Sequence, residues 1–248
     1  MFQFFVSPEQ INMTDKRVII SGSDYNHMKN VLRIKPGEEF NVVSGEDNLE
    51  YRCSVLSYEV EEAVCEIRFV KEGGVELSGK LYLFQGLPKA DKMELIIQKA
   101  VELGAAGIIP VETKRCVVKL DDKKARQKTA RWQAISEAAA KQSKRGVIPT
   151  VSEPVSFKEA LKLAQDMDVK LIPYELADGM QKTKELVKAV KPGQSVAIFI
   201  GPEGGFEDSE IEAAKENGVE PITLGRRILR TETAGFTILS WLMYQLEE

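Results

Sequence analysis

Histidine is nearly missing from this chain: His27 is the one imidazole in 248 residues. Cysteine is scarce too, with Cys53, Cys65 and Cys116 far apart and no C-x-x-C pair. One imidazole and three scattered thiols do not supply a metal site at the ligand spacings zinc requires. Unclustered cysteines suit a reducing compartment, so the expectation is a cytoplasmic protein without metal. No long apolar run is present either. The most apolar stretch, 234–244, is too short to span a bilayer and carries Thr237 and Ser240. Residues 1–6 lack the basic start and long apolar core of a secretory signal. No G-x-x-x-x-G-K-[ST] phosphate loop occurs, which makes a nucleotide hydrolase the least supported class.

What is there is an ordinary globular composition, 43% hydrophobic and 29% charged. The length allows two modest domains or one large one. The net charge of −4 conceals an uneven distribution. Between Lys114 and Arg145 stand eleven basic residues against three acids, Asp121, Asp122 and Glu137. That local field is the footprint of a polyanion binder, or else a solvated helix face.

Residues 1–72 read as a β-rich domain. Glu39–Val43, Tyr51–Leu56 and Val64–Val70 have the β-branched alternation of half-buried strands, best buried in a small closed barrel. Residues 24–33 read as a short helix with Met28, Val31 and Leu32 on its apolar face. Residues 73–79, polar and glycine-rich, form a connector. From 80 to 248 strands and helices alternate, which predicts an α/β domain with a mainly parallel sheet. Within it, a helix over 91–103 buries Met93, Ile96, Ile97, Ala100 and Val101, and a last helix over 233–246 is apolar almost all round. That helix packs in its own core or against a partner subunit.

Two glycine-bearing loops follow short apolar runs near the end of the chain. Gly201-Pro202-Glu203-Gly204-Gly205-Phe206 comes after Val196–Ile200, and Leu224-Gly225-Arg226-Arg227-Ile228-Leu229-Arg230 after Pro221–Leu224. Parallel sheets bind ligands at the carboxyl ends of their strands, and glycine lets backbone approach a ligand closely. The first loop surrounds a carboxylate, Glu203, with neither Lys nor Ser/Thr following, so a neutral or cationic ligand fits better than a phosphate.

These loops, with Glu232-Thr233-Ala234 beyond them, closely resemble the signature of the SPOUT class of S-adenosylmethionine-dependent RNA methyltransferases. Lys99–Gly104, Glu137–Arg145 and His27–Arg33 are similar to segments of the ribosomal RNA small-subunit methyltransferase E family. The resemblance covers nearly the whole chain. It implies methylation of uridine N3 in 16S ribosomal RNA, an N-terminal PUA-like β-barrel, a C-terminal trefoil knot and a homodimer. One departure stands at the N-terminus, where Gln3 occupies a position at which the family pattern leads one to expect arginine.

On this resemblance the cofactor is S-adenosylmethionine. Its adenine would lie on Ile200, Leu224, Ile228 and Leu229, with Gly201, Gly204, Gly205 and Gly225 allowing close approach. Pro173 and Glu175, at an earlier strand end, would form a third wall, and Thr233 and Ala234 would complete it. Glu203 or Glu175 would face the sulfonium or amino group, unless each is merely a solvated loop residue. Arg230 would stabilise negative charge on the base, with Glu232 or Thr233 orienting it; a salt bridge fixing the loop is the rival role for Arg230. His27, Arg33, Lys89, Lys92, Arg115, Arg131 and Arg145 are the candidate RNA contacts. The alternatives are a SPOUT enzyme acting on a ribose 2′-hydroxyl and a non-catalytic ribosome-assembly factor.

Overall fold

Alternating β-branched and polar residues in the first third of the chain produce strands with one buried face, and these strands join in a single sheet. The structure, a computed structural model, describes residues 1–175 and 179–247. The chain divides into two compact units, Met1–Glu76 with Ala140–Ile148, and Leu77–Ala139 with Pro149–Glu248. In the first, the strands are β1 (Gln3–Phe5), β2 (Ile11–Asn12), β3 (Arg17–Ser21), β4 (Glu39–Val43), β5 (Leu49–Tyr58) and β6 (Glu62–Glu72). They are ordered β1-β4-β5-β6-β3-β2, and β1–β4 is the parallel pair. Alternate residues such as Val18 and Ile20, Phe40 and Val42, and Cys53 and Val55 fill the core with Phe4 and Met28. Burial pushes the Cys53 and Cys65 thiols up to about 12, so both behave as apolar filling.

The helix expected over 24–33 is two shorter pieces, α1 (Gly22–Asn26) and a π-helical turn over His27–Val31. In the wider turn the Leu32 N–H reaches back to the His27 carbonyl, five residues away. The changed register buries Met28 but leaves Val31, expected on the apolar face, 68% exposed. Long-range pairing accounts for the segment 140–148. Glu76 accepts from Arg145 Nε and from the N–H groups of Gly146 and Val147. Gln3 Nε2 donates to the Arg145 carbonyl at 2.9 Å.

The second unit is a parallel sheet flanked by helices. Its elements are β7 (Lys80–Gly86), α2 (Lys92–Glu102), β8 (Ala105–Glu112), α3 (Asp122–Ser143), β9 (Thr150–Val151), β10 (Val155–Ser156), α4 (Phe157–Leu163), β11 (Val169–Pro173), α5 (Met180–Ala189), β12 (Ser195–Ile200), α6 (Asp208–Glu216), β13 (Glu220–Ile222) and α7 (Thr231–Leu246). The order is β10-β8-β7-β12-β11-β13, with β9 also paired to β8. β12 therefore lies between β7 and β11, although it follows both in sequence. β7 and β12 are buried on both faces, as their continuous apolar runs require, and Phe84 stacks on Phe199 at 4.6 Å. All five apolar residues read on α2 are buried.

α7 begins two residues earlier than its apolar pattern indicates, with Arg230 in extended conformation as its N-cap. It packs against α2, α5, β7 and β12. Among the described residues, no helix is long and apolar enough to cross a membrane.

Candidate active site

The carboxyl ends of β11, β12 and β13 are brought together by the pairing of β11 with both neighbours. The segments that follow them enclose a cleft of about 570 Å³, within the range of small-molecule sites. The first loop folds tightly on itself: a Cβ on Gly201 would lie 3.0 Å from the Gly205 Cα. Gly86, ending β7, lets it seat, because a Cβ there would come within 2.7 Å of the Pro202 nitrogen. Gly205 has φ +67° and Gly225 φ +111°, conformations that favour glycine. A Cβ at either position would meet nothing within 4 Å among the described residues, so both loops present bare backbone to open space.

Glu203 is tied down. Its carboxylate accepts from Lys92 Nζ at 2.7 Å and from the Lys89 N–H at 3.1 Å. Partial burial opposes its charge, but the Lys92 hydrogen bond and the backbone N–H donors outweigh burial and hold the carboxyl below its usual range. Lys92 Nζ also lies 3.8 Å from Glu232 Oε2, a buried oxygen with no hydrogen-bond partner among the described residues. On the same side Arg115 donates to the Gly204 carbonyl at 3.0 Å. The β13 end is fixed by Thr183, whose hydroxyl donates to the Thr223 carbonyl and accepts from the Thr223 N–H, both at 3.1 Å.

Of the residues expected at the cofactor, Pro173, Glu175, Ile200, Gly201, Glu203, Gly204, Gly205, Leu224, Gly225, Ile228, Leu229 and Ala234 line this cleft. Thr233 does not; it is exposed on the first turn of α7. Arg230 lines the cleft, is exposed, and makes no ion pair among the described residues. The salt bridge considered as its rival role is therefore not formed there. Glu232 is not among the residues that line the cleft; its carboxylate lies 3.8 Å from the Nζ of Lys92, which is.

An RNA methyltransferase domain family matches residues 75–243, and an RNA methyltransferase PUA domain family matches residues 20–67. The chain is 38% identical over 231 residues to the ribosomal RNA small subunit methyltransferase E of Bacillus subtilis, covering 92% of this chain and 90% of that protein. This chain belongs to the methyltransferase E family. Another member, from Mesomycoplasma hyopneumoniae, is 36% identical over 240 residues and covers 97% of this chain and 98% of its own. The crystal structure of the Neisseria gonorrhoeae member, bound to S-adenosyl methionine, matches with a TM-score of 0.79 at 30% identity, over 96% of this chain and 95% of that one.

In this member of the methyltransferase E family the candidate RNA contacts separate into groups. Lys92 and Arg115 belong to the cleft itself. The Lys89 side chain is exposed beside it, whereas Arg131 is paired with Glu94 at 2.8 Å. His27 and Arg33 are exposed in the first unit, His27 lying edge-on to Phe4. Arg145 corrects the sequence reading: it is only 4% exposed, and its guanidinium is bound to Glu76 rather than open to a phosphate. Missed altogether were Arg226 and Arg227, exposed and lining the cleft without an ion pair among the described residues. The signal was present, since both sit in the loop already read as a cleft wall.

Proposed function

We propose that this chain binds S-adenosylmethionine between its two glycine loops and methylates N3 of a uridine in 16S ribosomal RNA of the small subunit. The observation that carries the reading is the bare backbone at Gly205 and Gly225, facing open space beside an exposed Arg230 that forms no ion pair among the described residues. The donor set suits the cofactor. Ile200, Leu224 and Leu229 offer an apolar bed for a purine ring, and Glu175 offers a carboxylate to a cationic group. Glu203, neutralised by Lys92, holds the loop in shape instead. When bound, the cofactor supplies a methyl group activated on a sulfonium.

The chain's own residues then position and stabilise. Uracil N3–H is weakly acidic; as N3 takes the methyl its proton passes to solvent, and Arg230 stabilises the negative charge that develops on the base. Glu232 acts through Lys92, fixing the start of α7 and so the arginine that caps it. Arg115, Arg226 and Arg227 grip phosphates at the cleft, with Lys89, Arg131, His27 and Arg33 as further contacts. Such contacts give a salt-dependent affinity.

Closure of the six-stranded sheet into a barrel, a trefoil knot and a homodimer belong to the same reading, with residues 1–72 as the RNA-binding domain, 73–79 as connector and 80–248 as the methyltransferase domain. The position of β12 between β7 and β11 and the return of α7 to β7 and β12 support the knot. Tyr244 on α7, 85% exposed, supports a partner surface.

The test is incubation with methyl-labelled S-adenosylmethionine and small ribosomal subunits lacking uracil-N3 methylation, followed by nucleoside digestion. Label in 3-methyluridine is the expected result. Label on a ribose hydroxyl, or cofactor binding with no transfer to the subunit, overturns the assignment.

A further inference from the structure

Gln85 is out of keeping with its strand. β7 lies between β8 and β12, its neighbours Leu83 and Phe84 are buried, and Gln85 is itself 0% exposed. Burying an amide is costly unless its groups are bonded. Here Nε2 donates to the Gly86 carbonyl and to the Thr231 hydroxyl, both at 2.9 Å, while Oε1 has no partner among the described residues. An apolar side chain would avoid the orphaned oxygen, so the value of the amide lies in what Nε2 holds.

What it holds is a relay. A hydroxyl has one hydrogen, and because Thr231 accepts from Gln85, that hydrogen is free to point elsewhere. It is donated to the Gly201 carbonyl at 2.6 Å. Gly201 opens the first glycine loop, directly after Ile200, which faces Gln85 across the β7–β12 ladder. Thr231 is the first residue of α7, directly after Arg230. The chain Gln85–Thr231–Gly201 thus ties the entry of one cleft wall to the exit of the other, 30 residues apart, and anchors both to β7, 146 residues before Thr231.

We infer that Gln85 is a positioning residue: through the Thr231 hydroxyl it holds the two glycine loops at a fixed separation and so preforms the cleft. The consequence for ligand binding rests on the proposed function; the coupling of the loops does not. Thr231→Val keeps the shape and removes the hydroxyl, Thr231→Ser keeps the hydroxyl, and Gln85→Met removes the donor while keeping the length.

The first measurement is amide hydrogen exchange on the cofactor-free protein. Thr231→Val and Gln85→Met speed exchange in both 201–206 and 223–230 and leave the interior of β7 and β12 unchanged, while Thr231→Ser behaves as wild type. Loosening of one loop alone, uniform loosening of the sheet, or no change overturns the inference. The second is calorimetric titration with S-adenosylmethionine. Thr231→Val weakens binding by about tenfold, since the loops must then be ordered at the moment of binding rather than beforehand, and Thr231→Ser restores it. Wild-type-like binding by Thr231→Val overturns the positioning role. If the wild-type chain itself binds no cofactor while the exchange result stands, the functional reading fails and the relay does not.

Discussion

Replacing Arg145 with methionine removes the guanidinium from a carboxylate that is itself largely buried; the two side chains are 5% and 16% exposed. Glu76 loses its contacts to Arg145 Nε, at 3.1 and 3.2 Å, and keeps the Gly146 and Val147 N–H groups at 3.2 and 3.3 Å. Breaking a buried pair from one side costs about 3–5 kcal/mol, because the remaining charge is stranded. The two surviving donors put the expectation at the lower end, about 3 kcal/mol, or roughly a hundredfold in the opening equilibrium of the first unit. The assay should report on that unit alone. Trp132 and Trp241 both lie in the second unit, so tryptophan fluorescence is blind to it. Cys53 and Cys65 are buried in the first unit's core, and their thiols are unreactive while it is closed. Pulsed thiol labelling should therefore speed up about a hundredfold in Arg145→Met. Much of the loss should be recovered when Glu76 is also made apolar, since an apolar pair of similar volume is often neutral. Unchanged thiol protection together with weakened RNA binding would refute the reasoning and return Arg145 to the phosphate.

Gly86→Ala puts a Cβ 2.7 Å from the Pro202 nitrogen, a backbone clash that the first loop can relieve only by moving. Cofactor affinity measured by calorimetry should fall by about tenfold, the loss of a preformed binding geometry, with β7 intact. Glu203 has a carboxyl held below the usual value of 4.5. Its anchoring of the loop is thus fully present above that value and is lost as pH falls through the lower folded one. Hydrogen exchange of 201–206 against pH should show this acid transition in wild type and lack it in Glu203→Gln. Arg226→Ala and Arg227→Ala should each lower RNA affinity and reduce the slope of log K against log salt by about 0.7, the value for single strands. An unchanged slope would remove them from the RNA path.

How much could be read from the sequence depends on how local the cause is. Strand and helix patterns between 80 and 246 were legible because burial on a sheet or helix face imposes a period within a few residues. The cleft was legible for the same reason: two glycine loops after apolar runs reach the same sheet edge whenever the strands are parallel neighbours. The PUA-like first unit was legible in outline, but its π-helical turn was not, since a single extra residue in a turn leaves no periodic trace.

Charge was the least legible quantity. Arg145, Arg131 and Lys92 read alike along the chain, yet one is buried on Glu76, one is paired with Glu94 and one is shared between Glu203 and Glu232. Each partner lies tens of residues or more away, and no local pattern encodes it. The sequence by itself determined which backbone would be bare at the cleft, because only glycine takes those conformations without strain. The tertiary structure alone decided which charges face that cleft and which hold it together, because an ion pair or a buried amide relay exists only once distant segments have been brought within hydrogen-bond reach.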